Sequence, residues 1–332
     1  MSGRQTVAET LIDYLRSQGL LPPPKVTALT GGVSGETFLV ETAPSRLVVK
    51  RALGRLLVAG EWTAKPERAM TEASALELLH SITPEHTPAL CHADPSRHTL
   101  VMTAAPADWP TWKSVILASA PSELTARIPE TAGELGTVLG TWHSRTWHDA
   151  DIAARFNDYE ALEQLRVTPF HRRVAVQHPG VAARITACAQ ELVTRRDCLV
   201  HGDFSPKNVL VGPNGPMVLD FEVAHFGAAV LDLAFLQCHL ILKALHIPER
   251  KDQLADAAQR FLASYERECP EPVEKLGAHT ACLLLARVDG LSPAGYLDTA
   301  TRDAVRRLAL GLLADDDPSI SEVWNRTLEA AR

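Results

Sequence analysis

Four residues between positions 199 and 222 carry groups that can do chemistry together. The stretch "LVHGDFSPKNVLV" (199–211) sets His201, Asp203 and Asn208 between two short apolar runs, and "MVLDFE" (217–222) ends an apolar run on Asp220. A plain turn accounts for any one of them, because Pro fixes its own φ and Asp and Asn bond the nearby backbone. Together they suggest more. "NVLV" and "GPNGP" read as a strand and a turn lying between the two acids, so a hairpin that folds back on itself brings both carboxylates and the Asn208 amide to one edge. Such oxygen donors suit a hard divalent cation such as Mg²⁺, which commonly shares its ligands with substrate phosphates, and a free carboxylate suits deprotonation of a hydroxyl.

These groups need a scaffold, and the chain supplies two kinds. Residues 6–18 predict a helix, ended by Gly19 and then "PPP". A Gly cluster at 31–35 then precedes two β-rich runs, "TFLVET" and "RLVVKRA", read as part of a strand meander. "PERAMTEASALELLHSI" (66–82) has the helical period, and "HTLVMTAAP" (98–106) reads as one more buried strand. Beyond it the pattern is mostly helical, over 128–147 and near 181–196, 228–245, 251–267, 274–288 and 299–313, with a last helix in the tail. Strand signals return only around the opening motif. The expectation is an α+β chain with a small β-rich N-terminal lobe (1–103) and a larger helical C-terminal lobe (104–332).

Composition narrows the class. At 332 residues the chain suits two lobes, and a net charge of −7 argues against a nucleic-acid surface, which needs clustered Lys and Arg. Its six cysteines are scattered without a C-x-x-C pair, so neither a zinc site nor a disulfide framework is expected. The N-terminal stretch contains acids and does not read as a signal peptide, and no run approaches the roughly 20 apolar residues of a membrane span. A reduced, cytoplasmic protein without a membrane partner is expected.

The motif "HGDFSPKNVLV" followed by "VLDFE" resembles the phosphotransfer signature of the aminoglycoside phosphotransferase and choline kinase superfamily, over about residues 27 to 290. The resemblance implies a bilobal protein-kinase-like fold and transfer of the γ-phosphate of ATP to the hydroxyl of a small molecule, either an antibiotic, as in resistance, or a metabolite. It implies Asp203 as the catalytic acid/base, Asn208 and Asp220 as holders of Mg²⁺ on the ATP phosphates, and His201 as a brace of the loop. Lys50 in "RLVVKRA" matches the strand lysine that reaches the α- and β-phosphates, and Glu72 in "MTEASALELL" matches the glutamate that pairs with it. "TGGVSGETF" matches the nucleotide-covering loop, which gives Gly31, Gly32, Ser34 and Gly35 to the nucleotide. "LVMTAAP" resembles the adenine hinge, with the Thr103 carbonyl and the Ala105 N–H on the base. "AAVLDLAF" gives Asp232 the anchoring of the catalytic loop.

Some positions depart from the pattern and stay open. Lys207 either reaches the γ-phosphate, as part of the catalytic set, or is a surface lysine. Glu222 is a second metal ligand, a substrate contact, or faces solvent. Arg287 and Asp289, in "LLARVDGLSPAGYL", either touch the substrate or form a local salt bridge at a helix end. His143, Trp142, Trp147 and His148 read as helix packing before an aromatic cage or metal site, and the acids Glu160, Glu163, Asp289 and Asp298 are available for a polyamine. A protein kinase is disfavoured because only "EVAHFGAAVL" lies between Phe221 and Asp232. A nucleotide-sensing pseudokinase is disfavoured because Lys50, Asp203, Asn208 and Asp220 are all present.

Overall fold

The computed structural model describes residues 16–17, 25–29, 35–42, 45–56, 62–118 and 123–331. The helix expected over 6–18 lies outside the described residues except for Arg16 and Ser17, and so do Gly31, Gly32 and Ser34.

Strands β1 (Lys25–Leu29), β2 (Gly35–Thr42), β3 (Ser45–Ala52), β4 (Leu90–Asp94) and β5 (Thr99–Thr103) form one antiparallel sheet in the order β1-β2-β3-β5-β4. The alternation of a strand sets Leu47 and Val49 on one face, in a small cluster with Phe38, Val40 and Val101. It sets Val48 and Lys50 on the other, where Val48, Leu100 and Met102 join the main core. Helix α1 (Arg68–Ile82) packs there, burying Arg68, Glu72, Ala75, Leu76 and Leu79 along one stripe. The expected strand pattern missed β4. "LCHAD" has few β-branched residues and its only claim to the sheet is its pairing with β5.

The remainder is largely helical: α2 (Trp112–Leu117), α3 (Ile128–Thr146), α4 (Ala182–Thr194), α5 (Val230–His246), α6 (Lys251–Glu268), α7 (Leu276–Asp289), α8 (Thr299–Ala314) and α9 (Ile320–Ala330), with shorter turns between them. Among the described residues no helix is long and apolar enough to cross a membrane. Every residue of α5 from Val230 to Leu245 is buried, so its partners must surround it on all sides. Trp142 on α3 lies against Phe204 and Phe221, and its indole N–H donates to the Thr83 hydroxyl at 2.7 Å just beyond α1. Trp142 and His143 therefore do the packing that the sequence suggested.

The region around the opening motif is built differently from the single hairpin expected. Strands β7 (Val209–Gly212) and β8 (Gly215–Val218) do pair, but β6 (Cys198–Val200) pairs with β9 (His225–Gly227) instead. Asp203 and Asp220 thus sit in the two connections between these ladders, not at the ends of one hairpin.

Helices α3 and α6 approach backbone to backbone through a glycine stripe. A Cβ on Gly136 would fall 2.2 Å from the Phe261 carbonyl oxygen, whereas one on Gly133 would find its nearest atom, the Ser264 hydroxyl, at 3.5 Å. We therefore expect Gly136→Ala to cost about 1–3 kcal/mol by overpacking. Gly133→Ala should instead be neutral or stabilising by up to ~1 kcal/mol through helix propensity. Thermal or urea unfolding of the two variants checks both signs.

Candidate active site

The loop after β6 is suspended from one buried carboxylate. Asp232, in the first turn of α5, accepts the His201 N–H at 2.6 Å and the Gly202 N–H at 2.8 Å, and the His143 Nε2–H approaches it at 3.3 Å. Burial opposes the charge on Asp232, but these donors outweigh it and hold its carboxyl below the usual range. Gly202 has φ +78°, and a Cβ there would meet the Val223 carbonyl at 2.6 Å, so only glycine fits. His201 braces the loop with both ring nitrogens. Nδ1 accepts from the Asp203 N–H at 3.1 Å and Nε2 donates to the Leu219 carbonyl at 3.0 Å, which puts the ring proton on Nε2.

Asn208 closes the turn on Asp203. Its Nδ2 donates to the Asp203 carbonyl and to Oδ2, each at 3.0 Å. That leaves the amide oxygen of Asn208 as the atom turned to other partners. Two cations also converge on the same carboxylate oxygen: Arg166 Nη2 at 3.1 Å and Lys207 Nζ at 2.8 Å. Burial would raise the Asp203 pKa, yet Arg166 and Lys207 win and hold it below the ordinary value. Lys207 is half exposed, but its ammonium is engaged at Asp203 and is not a free surface charge.

On the sheet side, Lys50 lies between two carboxylates. Its Nζ is 2.7 Å from Glu72 Oε2 and 2.6 Å from Asp220 Oδ1. Burial works against the lysine charge, but Asp220 and Glu72 more than compensate and its pKa rises. Burial also pushes the Glu72 carboxyl up to about 7 against the attraction of Lys50, with Asp220 adding repulsion. Asp220 goes the other way. Burial is overcome by Lys50 and Lys207, and it stays ionised well below the usual range. Asp220 also has φ +73°, a left-handed backbone that an L-residue adopts only where its surroundings impose it.

The other expected positions divide. Gly35 opens β2 opposite Ala52, where a Cβ would lie 2.6 Å from the Arg51 carbonyl oxygen. Thr103 ends β5, and the Ala105 carbonyl accepts from Arg46 at 3.1 Å. Glu222 does not face solvent. It is buried against Arg68 of α1, Nε to Oε2 at 3.0 Å, an ion pair that joins α1 to the segment after Asp220. Asp289 is not in a salt bridge local to its helix end. It accepts from Arg306 of α8 on both oxygens, at 2.7 and 2.8 Å, and from His178 at 2.9 Å. Arg287 bonds Ser292 and lies in the field of Asp203. The remaining acids are occupied too: Glu163 by Arg172, Glu160 by Lys65, and Asp298 as the N-cap of α8.

Arg166 is the residue that sequence reasoning missed. It comes from a ten-residue π-helical segment, Glu163–Arg172, that contains Pro169. Its Nε donates to the Gly202 carbonyl at 2.7 Å, and its guanidinium lies 5.4 Å from the centre of the Phe235 ring. The available signal was a charge inside an apolar helical run, "QLRVTPF", which an exposed arginine would not need. The donor set fits a hard cation on its chemistry: the Asn208 amide oxygen and the second Asp220 oxygen are the groups that would hold Mg²⁺.

A family model described as APH, phosphotransferase enzyme family, matches residues 25–272. A methylthioribose kinase of Citrobacter koseri is 24% identical over 293 residues, covering 78% of this chain and 72% of its own. Amicoumacin kinase hAmiN, solved with AMP-PNP, Ca²⁺ and Ami, superposes with a TM-score of 0.60 at 14% identity, covering 96% of this chain and 97% of its own. The choline kinase LicA of Streptococcus pneumoniae gives 0.50 at 14% identity, over 98% and 99%.

Replacing Glu222 by Ala removes a buried carboxylate from Arg68, whose guanidinium still donates to the Leu53, Ala64 and Lys65 carbonyls, and should lower stability by about 1–3 kcal/mol, seen as an earlier urea midpoint, while the Mg²⁺ dependence of turnover stays unchanged. A shifted Mg²⁺ requirement would return Glu222 to the metal. Arg166→Met should lower kcat about 10- to 100-fold, because it removes charge-assisted bonds to Asp203 and Gly202, with the KM for nucleotide unaltered in steady-state kinetics.

Proposed function

The chain belongs to the APH phosphotransferase enzyme family, and we propose that it transfers the γ-phosphate of Mg-ATP to a hydroxyl of a small molecule, with Asp203 facing that hydroxyl. The observation that carries the reading is the joining of Lys50, Glu72 and Asp220 into one ion cluster, with Asp203 and Asn208 bonded to each other in the neighbouring connection. The relatives named above act on methylthioribose, amicoumacin and choline by their names, which supports a small acceptor.

In this reading Lys50 holds the α- and β-phosphates, and Glu72 keeps its ammonium aimed at them. Asn208 and Asp220 would hold Mg²⁺, which when bound neutralises charge on the transferring phosphates. Asp203 accepts the hydroxyl hydrogen and orients the oxygen for in-line attack. Its lowered pKa makes it a weak base, and that is enough where the transition state is loose and the proton leaves late. Lys207, already at Asp203, is placed to move its charge toward the γ-phosphate as the hydroxyl enters. Catalysis then rests mainly on positioning and preset charge.

The segment from Phe221 to Val230 is buried throughout, and β9 within it is paired to β6. It offers no exposed loop on which a peptide could dock, which favours the small acceptor over a protein. ADP release from Mg-ATP over a panel of hydroxyl compounds tests the activity. Asp203→Asn should lower kcat on the order of 10²- to 10⁴-fold and leave nucleotide affinity intact, whereas Asp220→Asn should also weaken Mg-nucleotide binding in a fluorescent-ATP titration. Wild-type turnover in Asp203→Asn would overturn the assignment.

A further inference from the structure

Beside Asp203 lies a group of cations that no acid of the described residues neutralises. Lys243 is 1% exposed, yet its ammonium bonds only the His239 carbonyl, one turn back in its own helix, at 3.1 Å. Asp232, Phe235, His239 and Lys243 fall on one face of α5 at steps of three and four, so a single stripe runs from beneath the catalytic loop to Lys243. Arg287 on α7 donates through Nη1 to Ser292, while its Nε is buried without a partner. The Tyr296 hydroxyl is likewise buried and unpartnered. Lys243 Nζ lies 5.6 Å from the centre of the Tyr296 ring and Lys113 Nζ, on α2, lies 5.8 Å from it. None of Lys113, Lys243 and Arg287 forms an ion pair among the described residues.

Side-chain contacts link these groups to Asp203: Arg166, 3.1 Å from Asp203, lies 5.4 Å from the centre of the Phe235 ring, and that ring lies 6.4 Å from the ring of His239. Arg166 and Arg287 share the Phe170 ring, at 5.9 and 6.0 Å from its centre. Helix α2, which carries Lys113, follows the bridge of Thr111 to Leu210 in β7, two residues beyond Asn208. Of the three cations Lys243 is buried, Arg287 half-buried and Lys113 exposed; a buried cation without counter-charge and buried donors without acceptors are costly, and a ligand that completes them offsets that cost. Burial, with Lys113 and Arg287 adding repulsion, pushes Lys243 down to about 7. The acids that a polyamine would need are tied up elsewhere, with Lys65, Arg172, Arg306 and the N-terminus of α8.

Building on the phosphotransfer reading above, we propose that the acceptor carries an anionic group, a carboxylate or a phosphate, received beside Asp203 by Lys243, Arg287, Lys113 and the Tyr296 hydroxyl. The acceptor's hydroxyl then meets Asp203 while its anion sits beside Tyr296. A polycation is repelled from the same place, and a neutral sugar leaves the cations without counter-charge. The anion fixes which hydroxyl reaches the phosphate.

Matched acceptors that differ in charge test this: glycerol, glycerate, glycerol 3-phosphate and choline, and ribose, ribonate and ribose 5-phosphate, each with Mg-ATP. An anion should be preferred over its neutral partner, and the carboxylate and phosphate members separate the two sources of charge. Lys243→Met should raise the KM for that anion about 10- to 100-fold without altering the KM for Mg-ATP, and its melting temperature should equal or exceed that of the wild type, since a buried charge is replaced by an apolar side chain. Tyr296→Phe should raise the same KM more modestly. A preference for the neutral or cationic members, or a KM indifferent to both substitutions, overturns the proposal. Should no compound be phosphorylated, the phosphotransfer reading is what fails. Calorimetric titration of glycerate and glycerol 3-phosphate then decides the pocket by itself: heat that Lys243→Met abolishes upholds it, and no heat with wild type overturns it.

Discussion

One ammonium group, that of Lys50, ties together parts of the chain that lie 170 residues apart. It stands on β3, its first carboxylate on α1 and its second in the connection after β8. None of the three charges can be buried alone, because an unpaired ion in the interior costs far more than the pairing returns. The sheet, its helix and the Asp220 connection must therefore arrive at one point together. The pair of Arg68 and Glu222 repeats the constraint next door, again between α1 and the segment after Asp220. The left-handed backbone of Asp220 is tolerated under these two ties.

A site held by charge needs walls that do not yield. The helical part supplies them through close packing: α3 lies on α6 with glycines where side chains would collide, and α5 is buried from Val230 to Leu245. Because α5 cannot shift, Asp232 at its start is a fixed point, and the loop from His201 to Asp203 hangs from it. Trp142 carries the same rigidity across to the end of α1. The loop from His201 to Asp203 is thus positioned by burial, and its polar groups are fixed by hydrogen bonds. Preorganised groups of this kind suit the phosphoryl transfer proposed for the site, because they need little rearrangement when charge moves.

The charge distribution separates two sides of Asp203. Toward the sheet, the carboxylates of Glu72 and Asp220 outnumber the single ammonium of Lys50, the environment in which the proposed function places a cation and its phosphates. Toward α5 and α7, cations gather around Tyr296 with no acid among the described residues to balance them. The net charge of −7 conceals this division, because an overall balance says nothing about where the charges lie.

Much of this was legible in the order of residues. His201, Asp203, Asn208 and Asp220 stand out by residue type and spacing, because a turn and two strand ends can bring them to one edge, whereas Lys50 and Glu72 are singled out only by the resemblance to the phosphotransfer signature. The helices α1 and α3 to α9 were legible from apolar runs or periods longer than a strand needs, bounded by Pro, Gly or polar turns. What tertiary structure decided was which groups share a space. Pairing of β6 with β9, the strand status of "LCHAD", the engagement of Glu222 by Arg68 and of Asp289 by Arg306 are all contacts between distant segments, invisible to any local pattern. Arg166 and Lys243 make the point most directly. Each looks in the sequence like an ordinary helix charge, and only the packing of α5 against its neighbours makes one a partner of Asp203 and leaves the other buried without an acid.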